Sequence, residues 1–185
     1  MSFLPKEEKE PIVKSSSADN YMKFDKEKEN RFRIMGGAII GWELWVEGKP
    51  IRKKDELFTE KELSSADKDP FSPDGFLKTP RYFWAFPVYN YATESIQILE
   101  ITQSTIREGI KGYMTDEDFG EDVTGYDFVV KMNDDGKGYT VRAKPPKDMD
   151  KGITKLYEDM GIDLEQLFSS KDPFSKEVKP EELFK

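Results

Sequence analysis

Residues 81–101, RYFWAFPVYNYATESIQILEI, hold 13 apolar positions in 21 and form the most strand-like part of the chain. Tyr82, Trp84, Phe86 and Val88 fall on one side of an extended backbone, with Arg81, Phe83, Ala85, Tyr89 and Tyr91 on the other. That period of two is the signature of a pleated strand. Pro87 has no N–H to give to a ladder, so it marks an edge or a bulge. Ala92-Thr93-Glu94 is a short link, after which residues 95–101 read as the hairpin partner.

The pattern extends in both directions. Residues 31–35 alternate, Gly36-Gly37 interrupts as a bulge or sharp bend would, and residues 38–46 resume with Ile40, Trp42, Leu44 and Val46 on one side. This predicts one long, bent strand. Glu47-Gly48-Lys49-Pro50 turns the chain, and residues 51–79 form a polar stretch too long for a plain connection. Beyond the hairpin, Thr102 is placed to cap a helix starting near Gln103, with Ile106, Ile110 and Tyr113 at helical spacing. Residues 126–132 and 139–143 then predict a second hairpin around 133–138.

The expected fold is therefore mainly β, with five strands and a single helix between the third and fourth. That is the layout of the oligonucleotide/oligosaccharide-binding barrel, the OB-fold, here with a long first loop. A small meander sheet under a lid helix gives the same string of elements. Pro145-Pro146 closes the domain, and 150–160 and 163–168 read as extra short helices. The organisation reads as a flexible arm over 1–30, a binding domain over 31–147, and short helices with an acidic tail over 148–185.

The chain has 185 residues and a formal net charge of −8, from 29 basic and 37 acidic side chains. It contains no histidine and no cysteine. Ser/His and Cys/His catalysis, thiolate chemistry, disulfides and ordinary zinc ligation are thereby removed. Asp116, Glu117, Asp118, Glu121 and Asp122 fail as a calcium loop: counted from Asp116, glycine falls fifth and the twelfth residue is Asp127. They also share one loop, whereas a two-metal nuclease needs carboxylates converging from rigid elements. No phosphate loop or dinucleotide fingerprint occurs. The expectation is a binder, not an enzyme, with no metal and no cofactor. No apolar run reaches the length of a membrane span and the N-terminus alternates lysine and glutamate, which predicts a soluble, cytoplasmic protein.

Residues 114–125 hold five acidic and no basic side chains, and residues 148–185 hold ten acidic and six basic, so the rest of the chain is +1. Charges beyond a Debye length of roughly 8–10 Å are screened, so the net sign does not exclude a polyanionic partner. If Tyr82, Trp84, Phe86 and Val88 face inward with Trp42, Leu44, Phe128, Val130, Tyr139 and Val141, the opposite faces present Arg33, Trp45, Arg81, Phe83, Tyr89, Tyr91, Lys131 and Arg142. Rings interleaved with cations suit single-stranded nucleic acid: each base stacks on a ring for about 1–3 kcal/mol while cations follow the phosphates. Arg52 and Lys53 in the first loop would flank the groove of such a barrel. The bland alternatives are a second small core under the rings and an ordinary solvated run at 52–54.

Phe83-Trp84-Ala85-Phe86, Val88-Tyr89-Asn90-Tyr91, the run from Ile96 to Gln103 and Gly125-Tyr126-Asp127-Phe128 together resemble a family of tailed-phage single-stranded DNA-binding proteins with an OB-fold. The similarity covers about residues 31–146. It implies DNA binding without catalysis, in replication or recombination within the host cytoplasm. Unlike the better-known phage replication protein, which holds a structural zinc, this chain has no cysteine or histidine to ligate one. Glu181-Glu182-Leu183-Phe184-Lys185 resembles the acidic, apolar-tipped tail that recruits replication proteins. RNA as a ligand and an oligomeric state are left open, and the alternative reading is a protein–protein interaction or assembly module using the same aromatic face.

Overall fold

The structure, a computed structural model, describes residues 17–174. Seven strands, β1 Asn30–Ile34, β2 Ile39–Val46, β3 Lys49–Lys53, β4 Arg81–Asn90, β5 Ser95–Ile101, β6 Asp127–Met132 and β7 Tyr139–Ala143, form one antiparallel sheet. Helices α1 Glu60–Ser64, α2 Ser104–Met114 and α3 Lys151–Met160 accompany it. The sheet is open, in the order β3-β2-β4-β1-β6-β7, with β5 on the far edge of β4. A five-stranded barrel was the expectation; the mainly β class stands, while the strand count is seven and the closure is not seen.

The bent strand expected over 31–46 is two strands, both antiparallel to the same edge of β4: Ile34 lies opposite Val88, and Ile39 opposite Ala85. Between them the Pro87 carbonyl accepts from Met35 N at 2.9 Å. A residue's N–H and C=O share one edge of an antiparallel strand. The N–H that Pro87 lacks would thus have faced the break, where no ladder bond is needed. Gly36 makes room there: a Cβ would stand 3.3 Å from the Pro87 ring and 2.1 Å from the Tyr157 hydroxyl, which would have to move aside.

The additional strand, β3, pairs with β2 through Glu47-Gly48, both at positive φ, as a two-residue hairpin turn demands. Its sequence, KPIRK, has too little apolar content to announce a strand. The rest of the long loop begins with α1, whose capping box joins Thr59 and Glu62. It then folds back through bridges Val46–Ala66 and Lys68–Leu77.

Two cores lie on opposite sides of β4. The larger gathers Phe32, Phe86, Val88, Leu99, Ile101, Tyr126 and Phe128 under Ile106 and Ile110 of α2. The smaller packs Phe83, Ala85 and Ile98 against Leu164 and Leu167 of a 3-10 turn, Leu164–Ser169, with Phe168 and Phe174 beside them. The chain beyond α3 therefore belongs to the sheet's packing. The region read as an arm joins it as well: Met22 is buried and its N–H donates to Ile98 O at 2.9 Å. The parts of the expected arm and tail at 1–16 and 175–185 lie outside the described residues. Among the described residues no helix is long and apolar enough to cross a membrane.

Helix α2 meets β7 at Gly109, where a Cβ would stand 2.6 Å from the branched Val141 side chain, whereas nothing lies within 4 Å of one at Gly112. Gly112→Ala is expected to stabilise by up to about 1 kcal/mol through helix propensity. Gly109→Ala is expected to destabilise, because a β-branched neighbour cannot move aside. Urea unfolding of the two variants checks this, and equal effects would contradict the packing of α2 on β7.

Candidate nucleic-acid interface

The β2–β4 register sets Ile40 beside Trp84 and Trp42 beside Tyr82 on one face of the sheet. Trp42 and Tyr82 meet edge to face with centroids 5.4 Å apart. The three rings are half-buried, and Ile40 is 54% exposed. Ile106 and Ile110 turn α2's apolar side to the core, which leaves Arg107 and Lys111, one position further round, above the rings. The Arg107 guanidinium lies 5.1 Å from the Tyr82 centroid and the Lys111 ammonium 5.6 Å from that of Trp84. Arg107 is pinned by donating to Thr102 O at 2.6 Å, while Lys111 pairs with exposed Glu108 at 3.2 Å. An apolar cavity of about 250 Å3, bordered by Gly36, Ile40, Trp84, Ile110 and Met114, continues this surface.

The residues singled out from sequence fall into separate places. Trp45 and Arg81 meet in a cleft of about 140 Å3, with the Lys78 ammonium 5.4 Å from the Trp45 ring. Arg33, Tyr89 and Tyr91 meet around Asp127. There Arg33 is buried and donates to Oδ1 at 2.6 Å, Arg31 donates to Oδ2 at 2.9 Å, and the Tyr91 hydroxyl donates to Oδ1 at 3.0 Å. The surrounding cavity of about 480 Å3 is lined by three cations, Arg31, Arg33 and Lys147, against four carboxylates, Glu94, Asp127, Asp148 and Asp150. A phosphate gains nothing there. Lys131 and Arg142 are exposed as expected, but they share their hollow with Glu29, Asp134 and Asp135, and Arg142 pairs with Glu29.

Five side chains expected to face solvent do not present a free binding group to it. Phe83 is fully buried in the smaller core, because the 164–169 turn covers the face that alternation had left open. Tyr89 is buried beside Tyr91. Arg33 is committed to Asp127. Arg52, only 11% exposed, lies between two carboxylates, 2.7 Å from Glu100 and 3.7 Å from Glu43. Lys53 is held by Glu62 at 2.8 Å. Conversely, Trp42, Tyr82, Trp84, Arg107 and Lys111 were missed, although basic residues spaced four apart and offset by one from Ile106 and Ile110 are visible in the sequence. Among the described residues no group of three or more carboxylates is placed to hold a metal ion.

The two ionic clusters titrate in opposite directions. Burial raises the Asp127 carboxyl, but hydrogen bonds from Arg31 and Arg33 outweigh it, so the net shift is downward. Glu43 is pushed up to about 8 by burial first and then by Glu100, against the opposing influence of Arg52 and Trp45. One arginine between two buried carboxylates leaves an uncompensated negative charge, and a proton on Glu43 removes it.

Asp127→Asn leaves Arg33 buried without its counter-charge and is expected to cost about 3–5 kcal/mol. For Glu43 the folded state binds the extra proton between its usual range and about 8. Its contribution is complete at pH 4.5 and is lost as pH rises through 8. Glu43→Gln should therefore gain stability relative to the parent between pH 5 and pH 8.5. Denaturant midpoints that move in parallel across that range would contradict it.

Comparison of the chain with protein families, curated proteins and solved structures finds no match.

Proposed function

We propose that this protein is a non-enzymatic single-stranded DNA-binding protein whose stacking surface is the Trp42–Tyr82–Trp84 row. The observation that carries the reading is a row of three partly exposed rings on adjacent sheet positions, with helix cations over two of them, Tyr82 and Trp84. Unpaired bases present flat π surfaces to such rings whatever their sequence, and cations beside them meet the phosphates. A duplex hides its bases and gains only the second contribution.

The connectivity supports an OB-type relationship. Counting the broken β1–β2 as one strand, the order is strand, β4, β5, helix, β6, β7, with β6 returning to pair with β1. The β5–β7 pairing that closes such a barrel is absent among the described strands, and β3 is an insertion. The resemblance at 31–146 gives the same assignment, with a place in phage replication or recombination in the host cytoplasm. The acidic C-terminal segment would then recruit partner proteins. A protein–protein module is the competing use of the same face, and ionic strength separates the two.

Trp42→Ala is expected to weaken binding to oligo-dT by roughly 5- to 150-fold, the worth of one stacked base. Lys111→Ala is expected to flatten the dependence of log affinity on log salt by about 0.7, the share of one phosphate contact on a single strand. Tyr91→Leu, at the electronegative cavity, is expected to change affinity little. Fluorescence anisotropy across a salt series checks all three. No binding at low salt overturns the reading, and a larger loss from Tyr91→Leu than from Trp42→Ala moves the site to the other face.

A further inference from the structure

The cleft beside Trp45 is built by the loop that follows α1. Ala66 bridges to Val46, Asp67 N donates to Trp45 O at 2.8 Å, and Lys78 N donates to Asp67 O at 2.7 Å, so a small hairpin overhangs the end of β2. Its tip is tied by Asp69, whose carboxylate accepts from Phe71 N at 3.0 Å and whose carbonyl accepts from Ser72 N at 3.1 Å. That anchored turn holds Phe71 87% exposed. A ring held in this way at the wall of the cleft is open to a guest that enters it.

We propose that this cleft, lined by Glu43, Trp45, Asp69, Phe71, Lys78 and Arg81, with the Asp69 carboxylate engaged by Phe71 N, is a single-nucleotide subsite that takes one unpaired base together with its phosphate. The volume of about 140 Å3 lies far below the roughly 300 Å3 at which sites for drug-sized molecules begin, so the guest is one ring system. Two aromatic rings line the cleft and offer stacking faces. Glu43 is among the lining residues, and its buried Oε2 has no hydrogen-bond partner, a need that a base edge can meet and a purely apolar guest cannot. Lys78 and Arg81 at the rim supply the charge for a phosphate, and among the described residues neither is engaged in an ion pair. Trp45 stands three residues, or about 10 Å, along β2 from Trp42 and on its other face. A strand stacked on the Trp42 row would therefore turn around the β2 end to reach the cleft. The proposal rests on the nucleic-acid reading for its biological sense, but not for its chemistry.

The chain has three tryptophans, Trp42, Trp45 and Trp84. In the Trp42→Phe/Trp84→Phe variant Trp45 alone reports. Titration with deoxynucleoside 5′-monophosphates is expected to quench it saturably. Deoxyribose 5-phosphate, the phosphate without the base, should not. Arg81→Ala in that background should raise the half-saturation concentration roughly tenfold, as loss of one charge-assisted contact does. If the double variant does not fold, the difference in quenching between the parent and Trp45→Phe supplies the same signal. Absence of saturable quenching by the mononucleotides, or equal quenching by the sugar phosphate, overturns the subsite. Anisotropy of labelled oligo-dT on the parent chain is run alongside. Oligonucleotide binding without Trp45 quenching removes the cleft and leaves the general reading standing. Quenching by mononucleotides without oligonucleotide binding retains the cleft and removes the general reading.

Discussion

The missing N–H of Pro87 organises the sheet. β4 is its central strand, and one edge of it serves two partners, meeting at Pro87, which accepts from Met35 N but has no N–H to return. The chain running along that edge breaks at the same level, at Gly36-Gly37, and its halves diverge. β1 leads to β6 and β7 and the larger core, while β2 leads to β3 and the long loop. Both candidate binding surfaces, the Trp42 row and the Trp45 cleft, belong to the β2 half. The β1 half carries the bulk of the apolar packing and the Asp127 ion cluster. A residue without a backbone donor thus lies between the wing that holds most of the packing and the wing that carries both candidate surfaces.

Charge is partitioned along the same line. A buried arginine without a carboxylate costs several kcal/mol, so Arg33 and Arg52 have their partners from distant strands, Asp127 on β6 and Glu100 on β5. These cations hold the sheet together and are lost to any phosphate. Those left facing solvent beside aromatic rings, Lys78, Arg81, Arg107 and Lys111, all lie on or next to β4 and the β2 half. The strongly acidic 114–125 segment follows α2 and sits near the opposite end of that helix from Arg107. Net charge of −8 therefore says little about the field at the rings.

Much of the fold was legible because alternation is a local property. The strands expected at 95–101 and 139–143 match β5 and β7, and that expected at 81–91 overshoots β4 by one residue. Exposure was not legible in the same way. Alternation states which side chains share a face, and it is silent on what covers that face. Phe83 is sealed by residues more than 80 positions away, so its burial could not be read from its own strand. The inward side held for Phe86 and Val88 and in part for Trp84, which packs against the larger core while remaining half-buried, but the outward side failed for Phe83 and Tyr89, which are buried as well. β3 escaped notice although the turn at 47–50 is legible, because its sequence, KPIRK, has one aliphatic residue and three cations.

The cations over the rings of the Trp42 row bear on how that surface would work. Long basic side chains lay their methylenes on apolar surface and keep the charge in water, which shields rings that would otherwise be exposed. An exposed cation–π contact is worth about 0.5–1 kcal/mol, whereas stacking of a base contributes about 1–3 kcal/mol. On the proposed reading an arriving base would therefore displace the cation at a net gain. The displaced group stays tethered beside the base it made way for, within reach of the phosphate. Lys111, held only by exposed Glu108, is free to make that exchange, while Arg107, fixed to the carbonyls of Thr102 and Tyr82, is not. The row would then bind as a fixed Tyr82 end and an adaptable Trp84 end, with the apolar cavity beyond Trp84 open to the base that Lys111 uncovers.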